Sequence, residues 1–488
     1  MVTSPNQSRQ VRRKLKRIEQ KTQAVQIKFE SRVAIKIKNL LRAVFPKDKL
    51  NKIAIKTNLL QRKRELDPLA ILSVLMIGCS DCSSDVPVAS LGIMVSFLRK
   101  WFDVNISIPA LQNKINRLET VQFIKEVMQF VMKYEVEKVL SKLKKKQKFK
   151  ISFFSRILLQ DSTVISLPET LSRIFRGCGG SASPAAVKWD FIVDQLNNLV
   201  IRVKFVAGKV PDSSLLGDVL KYISKGDLII RDLGYFNLGH FSQIVAKNAF
   251  FISRLSKAPH VYLKEDDEQP VNLIEHLEKL DIKKKGVDID IYIGKTSRLP
   301  LRLIAVKVPP EVIEKRRQQY KISNGARAEP SESLNEWNGY TLMITNVPRE
   351  QVSLGVILKL YKIRWQIELF FKNMKSNLAV DKISGENKYR ILGLIYIKLT
   401  TTWILGLLFA YAQAIAESDR EVSLIKFTRW LKQVVNFTEL IAKRDFSILI
   451  QELERDLDLL YKQKRKKKTT LRDIEDTFIE EMNKLKAA

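Results

Sequence analysis

The chain has 488 residues, 45% of them hydrophobic and 28% charged, which suits a soluble globular protein of two or three domains. Lys and Arg number 85 against 52 acids, a formal net charge of +33, which disfavours a small neutral ligand as main partner and favours a polyanion, nucleic acid first. Three cysteines, Cys79, Cys82 and Cys178, are too few for a disulfide framework and point to a reducing compartment.

Residues 1 to about 60 are basic and helical in pattern (VRRKLKRIEQKTQAVQIKFE, VAIKIKNLLRAVF), with no apolar run of the kind a secretory signal carries. Their basic faces are read as a DNA contact rather than as an ordinary solvated surface. Further helical patterns follow in PLAILSVLMIG, VASLGIMVSFLRKWF and TVQFIKEVMQFVMKYEVEKVLSKLKKK. Cys79 and Cys82 form a CxxC without a second pair or a nearby His, so they read as small residues near a helix end, not as a zinc site. The basic run at 142–150 marks a boundary, and residues 1–148 read as an all-helical N-terminal domain.

Short β-type runs then replace the helices. RILLQD (156–161), KWDFIVD (188–194) and LVIRVKF (199–205) predict strands, with QLNN at 195–198 as a hairpin turn. SSLLGDVLKYI predicts a helix, DLIIRD (227–232) a fourth strand, NLGHFSQIVAKN a helix and FFISRL (250–255) a fifth strand. This order opens an α/β sheet with mixed pairing. Residues 256–337 read as a β-rich insertion, and the sheet resumes at YTLMITNVP (340–348). Two long helices follow. The second contains Leu399 to Ala416, 18 residues without charge, which reads as a buried core helix and not as a membrane span. The tail, 417–488, is helical, with a basic run at 462–470, and is the expected dimer interface.

Two aspartates stand where β-type runs end. Asp161 closes RILLQD, and Asp232 closes LIIRD before Leu233-Gly234-Tyr235. A carboxylate there projects from the sheet edge, where α/β folds build sites, although Asp also commonly ends strands for turn reasons alone. In YKIRWQIELFFKNMK (361–375), Tyr361, Arg364, Glu368 and Lys375 fall within an arc of roughly 60° if the segment is one helix, with Ile363, Ile367, Phe370, Phe371 and Met374 opposite. Taken alone, Glu368 between two cations could be a solvated face with i,i+4 pairs. Three carboxylates in so basic a chain suggest a site for hard divalent cations, with the cations on the same helix face holding phosphates. None of the three histidines, His240, His260 and His276, has a partner at metal spacing, and all read as structural.

These residues resemble a family. Tyr361-x2-Arg364-x3-Glu368-x6-Lys375 is similar to the signature of the DDE transposases of bacterial insertion sequences, insertion sequence family four. Asp161-Ser162-Thr163 resembles its first aspartate motif and Asp232-Leu233-Gly234-Tyr235-Phe236 its second, and the resemblance covers roughly residues 150 to 415. It implies an α/β fold: an RNase H-like catalytic domain (149–255 and 338–416, a mixed sheet with helices) interrupted by the β-rich insertion and preceded by the helical domain. It also implies that Asp161, Asp232 and Glu368 are catalytic and bind two Mg²⁺ ions per site, with Mn²⁺ able to substitute. Tyr361, Arg364 and Lys375 would contact phosphates of the transposon end, and Trp365 would pack near the terminal bases. An aromatic of the insertion would stack on a flipped base; Trp337 and Tyr340 are the two candidates. The implied activity is cut-and-paste DNA transposition through a hairpin intermediate, by a homodimer on paired double-stranded inverted-repeat ends, in the bacterial cytoplasm at the nucleoid and without a membrane. Competing readings are another RNase H-like metal nuclease and a non-catalytic DNA-binding derivative.

Overall fold

A computed structural model describes residues 46–60, 66–80, 90–143, 153–179, 182–197, 199–280, 286–325, 327–383, 385, 387–417, 420–433, 447–462, 474 and 477. The expectations for the basic residues 1–45, for Cys82 and for most of the basic runs at 142–150 and 462–470 lie outside the described residues.

The N-terminal region is helical, as its 3.6-residue periodicity requires. It comprises α1 (Lys47–Lys56), α2 (Pro68–Ser80), α3 (Leu91–Phe102), α4 (Ile108–Ile115) and α5 (Leu118–Leu143). Side chains fix several starts: Asp67 Oδ1 accepts from Leu69 N at 2.7 Å, Ser90 Oγ from Ile93 N at 3.3 Å and Ser107 Oγ from Ala110 N at 3.4 Å. α2 buries every residue from Leu69 to Met76, so it is a core helix rather than a surface one.

One nine-stranded sheet organises the rest. Its strands are β1 (Arg156–Leu167), β2 (Ala185–Asp194), β3 (Leu199–Ala207), β4 (Asp227–Arg231), β5 (Phe250–Arg254), β6 (Val261–Tyr262), β7 (Val287–Ile293), β8 (Leu299–Lys307) and β9 (Tyr340–Thr345). The order across the sheet is β3-β2-β1-β4-β5-β9-β8-β7-β6. β1, β2 and β3 are antiparallel, while β4 and β5 run parallel to β1. That half, with its flanking helices, is the RNase H-like core. The insertion joins the same sheet: β7 and β8 form a hairpin, and β8 pairs antiparallel with β9. The insertion also carries helices α7 (Leu273–Lys279), α8 (Pro310–Asn324) and α9 (Glu332–Asn338), following α6 (Leu238–Ala246) of the core.

Alternation along the strands sorts two cores. Ile157, Leu159, Leu228 and Ile230 pack on one face and Leu158 and Ile229 on the other. The first face is covered by α10 (Leu354–Ile363), α11 (Trp365–Leu378) and α12 (Lys388–Ile415), and α12 packs in turn on α2 and α5. The N-terminal helices therefore share a hydrophobic core with the sheet. α12 is long and apolar enough to cross a membrane by length and composition, but 83% of its most apolar window is buried inside the fold. Its Thr400, Thr401 and Thr402 hydroxyls each donate to the carbonyl four residues back, at 2.8–2.9 Å, which lets three threonines lie in a core helix.

Three local expectations need correction. β1 does not end at Asp161 but runs on to Leu167, because β2 continues to pair with it there. SSLLGDVLKYI is not one α-helix; it forms two 3₁₀ turns, Asp212–Leu216 and Val219–Tyr222. Gly217 separates them, and Arg202 of β3 binds the Asp218 carboxylate from Nε (3.1 Å) and Nη2 (2.6 Å). The signature segment is not one helix either, since α10 and α11 meet at Arg364 through i,i+3 bonds, Arg364 N to Tyr361 O and Ile367 N to Arg364 O, both 3.1 Å.

Candidate active site

The parallel pairing of β1 with β4 ends at Gln160 opposite Arg231. The next residue on each strand is an aspartate, so Asp161 and Asp232 stand side by side just past the end of the ladder. Alternation places both on the face of Ile157, Leu159, Leu228 and Ile230, toward α10 and α11. Asp232 also begins a 3₁₀ turn, Leu233–Tyr235, which takes the chain away from the sheet.

The helices reach this point through a fixed launch. Thr345 Oγ1 donates to Phe251 O at 2.6 Å, while Asn346 accepts from Phe251 N at 2.9 Å and donates to Ala249 O at 2.8 Å. Arg302 Nη1 then donates to Val352 O at 2.7 Å, and Ser353 caps α10 by accepting from Val356 N at 3.3 Å. Ile363, Ile367, Phe371 and Met374 are buried, and Phe191 of β2 meets both Phe370 and Phe371 at ring separations of 5.5 Å. This docking turns the polar stripe toward the two aspartates.

Tyr361 OH donates to Asp232 Oδ1 at 3.2 Å. Arg364 Nη1 donates to Asp161 Oδ2 at 3.3 Å, and its Nη2 donates to Glu368 Oε1 at 2.5 Å. Lys375, in the last turn of α11, donates to Val164 O at 3.1 Å. Five of the six polar side chains are thus engaged with one another, as a Tyr361–Asp232 pair and an Asp161–Arg364–Glu368 bridge, and Lys375 lies farther along β1.

Burial pushes the Asp161 carboxyl up to about 6; the Ser162 amide and Arg364 oppose the shift, and the Asp232 and Glu368 carboxylates add to it. Tyr361 is pushed above its ordinary range by burial and then by Asp232, so its phenol remains a donor. Arg364 is held above its ordinary value because Asp232, Tyr361, Glu368 and Asp161 together outweigh its burial.

The donor set is all oxygen and anionic, which suits a hard divalent cation. Its crowded carboxylates would be relieved by positive charge, the part that Arg364 fills here. No group of three His, Cys, Asp or Glu residues is assembled closely enough to hold a metal among the described residues. The Arg364 guanidinium lies between two of the carboxylates, bonded to Asp161 and to Glu368.

The aromatic candidates separate by burial. Trp365 is 54% exposed beside Arg364. Trp337, in α9, is half-buried against the second core. Tyr340 is only 6% exposed, at the start of β9 and packed in that core. So little of its ring is exposed that Tyr340 is not placed to stack on a flipped base. His240 is buried against Arg231 and Leu216 O, away from the carboxylates. Asp190, the aspartate inside KWDFIVD, lies fully buried behind the site with Arg202. The charged arginine inside the apolar run LVIRVKF was the available signal.

Residues 152–404, more than half of the chain, match the family model described as "Transposase DDE domain". The transposase for insertion sequence element IS231B of Bacillus thuringiensis subsp. berliner is 26% identical over 436 residues, which is 86% of this chain and 89% of the relative. The transposase for insertion sequence element IS1151 of Clostridium perfringens is 26% identical over 416 residues, 80% of this chain and 85% of the relative. A cryo-EM structure of the piggyBac transposase synaptic complex with hairpin DNA superposes with a TM-score of 0.45 at 12% identity, covering 89% of this chain and 87% of that one.

Proposed function

The chain belongs to the DDE-domain transposases, a DNA-cleaving family that generally uses divalent metal ions, and from that premise we propose that it cuts at the ends of a bacterial insertion sequence and joins them to target DNA. The observation that carries this reading is the convergence of Asp161 and Asp232 at the end of the β1–β4 ladder, with Arg364 tying Glu368 to Asp161 and Tyr361 holding Asp232.

Asp161, Asp232 and Glu368 would hold two Mg²⁺ ions, for which Mn²⁺ would substitute. Bound there, the metals would supply activation of water or a 3′-hydroxyl and stabilisation of the leaving oxygen in an in-line displacement at phosphorus. Arg364 releases the carboxylates and turns to the DNA phosphate, where its planar fork matches two phosphate oxygens. Tyr361 orients Asp232 and then a phosphate oxygen, while Lys375 holds the backbone farther along. Trp365, exposed at the junction of α10 and α11, packs on the terminal bases, and Trp337 is the remaining candidate for a flipped base. A hairpin at the element end and a homodimer on paired ends complete the proposal. The surplus of basic residues serves both the ends and the target DNA.

Glu368→Ala separates chemistry from binding. It should abolish cleavage of a duplex bearing the element's end while leaving end binding nearly intact; equal loss of both would count against the metal-ligand role.

A further inference from the structure

Behind the two aspartates the opposite face of the sheet is also polar, and Gln160, Asp190 and Arg231 on it are buried. Gln160 and Ser162 flank Asp161 on that face, and Arg231 precedes Asp232. Asp190 of β2, paired across from Ser162, is 0% exposed. Its carboxylate accepts from Tyr235 OH at 2.6 Å, from Gln160 Nε2 at 3.1 Å and from Arg202 Nη1. One carboxylate therefore holds the residue just before Asp161 and the residue three after Asp232.

A second bridge runs beside it. Asp212 Oδ1 accepts from Ser162 Oγ at 2.9 Å and from Lys188 Nζ at 2.8 Å. Its Oδ2 lies 3.1 Å from the place a Cβ on Gly234 would occupy, so the two segments approach closely there. The backbone ladder between β1 and β4 stops at Gln160 and Arg231, and these two bridges continue the coupling beyond it.

Stability alone does not account for this arrangement, since apolar residues of similar volume commonly replace a buried ion pair without loss. Placing a carboxylate pair for a metal is a stricter demand, because small errors at such a centre are costly. We propose that Asp190 and Tyr235 are positioning residues: they set the separation of Asp161 and Asp232, with the Ser162–Asp212 contact as the parallel strut. Tyr235 suits this part because burial and Asp190 keep its phenol protonated and donating throughout the working range. The inference rests on the metal-site reading above.

Tyr235→Phe removes one hydroxyl and leaves Asp190 its bonds to Gln160 and Arg202; Ser162→Ala removes the contact with Asp212 and, with it, the Ser162 hydroxyl's interaction with Tyr235. Each variant and the wild type would be titrated with Mn²⁺, followed by electron paramagnetic resonance and by single-turnover cleavage of an end duplex. Both variants should bind Mn²⁺ about tenfold more weakly, bind end DNA as the wild type does, and recover their cleavage rate at raised Mn²⁺. A merely structural role would lower Tm without such a recovery. Wild-type Mn²⁺ affinity in both variants would overturn the inference while sparing the metal site; a wild type that neither bound Mn²⁺ nor cut would overturn both.

Discussion

Arg364 and Asp161 are 203 positions apart in sequence and 3.3 Å apart in space, and the same guanidinium holds Glu368. It neutralises two carboxylates that would otherwise repel each other in a half-buried site. Arg364→Ala should therefore lower stability in EDTA by roughly 1–3 kcal/mol, the range for charge-assisted bonds. The loss should shrink when Mg²⁺ is added, because the cation takes over the neutralisation. Thermal melts with and without Mg²⁺ test this, and equal losses in both would contradict the exchange.

Lys375 lies on the same stripe and, among the described residues, donates only to the Val164 carbonyl. Its charge remains available to a phosphate. Lys375→Ala should weaken end binding evenly across sequences and reduce the slope of log K against log salt by about 1. An unchanged slope in a salt series of binding isotherms would remove Lys375 from the DNA contact.

Trp365 is exposed and so contributes little to folding. Trp365→Ala should leave Tm unchanged yet weaken binding of a pre-cleaved end by roughly 1–3 kcal/mol, the scale of stacking on a base. Loss of stability with unchanged end affinity would reverse the assignment.

Asp194 offers a test away from the site. It accepts from Leu196 N at 3.0 Å and from Asn197 Nδ2 at 2.6 Å in the β2–β3 turn, and burial pushes its carboxyl from 3.8 to about 6. The folded state then binds the proton more tightly than the unfolded one. The group's contribution is most favourable below about pH 4 and is lost as pH rises through about 6, a change of about 3 kcal/mol. Asp194→Asn should flatten the fall in stability between those limits; denaturant melts at pH 4.5 and 7 with an unchanged difference would refute it.

Much of this was legible in the sequence. Asp161, Asp232 and the stripe of Tyr361, Arg364 and Glu368 could be read because strand alternation and helical periodicity are local, and the structure joins the stripe to both aspartates. The continuation of β1 past Asp161 was hidden because a carboxylate looks like a strand terminator, whereas the β2 partner decides. The break at Arg364 and the turns after Asp212 left the helical period intact and so gave no signal. Tyr340 looked available because sequence does not show which face of β9 is covered. Asp190 was invisible as a hub because its partners Arg202, Gln160 and Tyr235 lie 12, 30 and 45 positions away.

Asp161, Asp232 and Glu368 are proposed to form one metal-dependent DNA-cutting centre. The most direct measurement incubates a duplex bearing the element's own end with Mg²⁺ or Mn²⁺ and resolves the products on a denaturing gel, beside an Asp161→Ala control. Metal-dependent cleavage at the element boundary should appear and be absent from the control, with a fast-reannealing band marking the hairpin. Tight binding of paired ends without cleavage under either metal would contradict it.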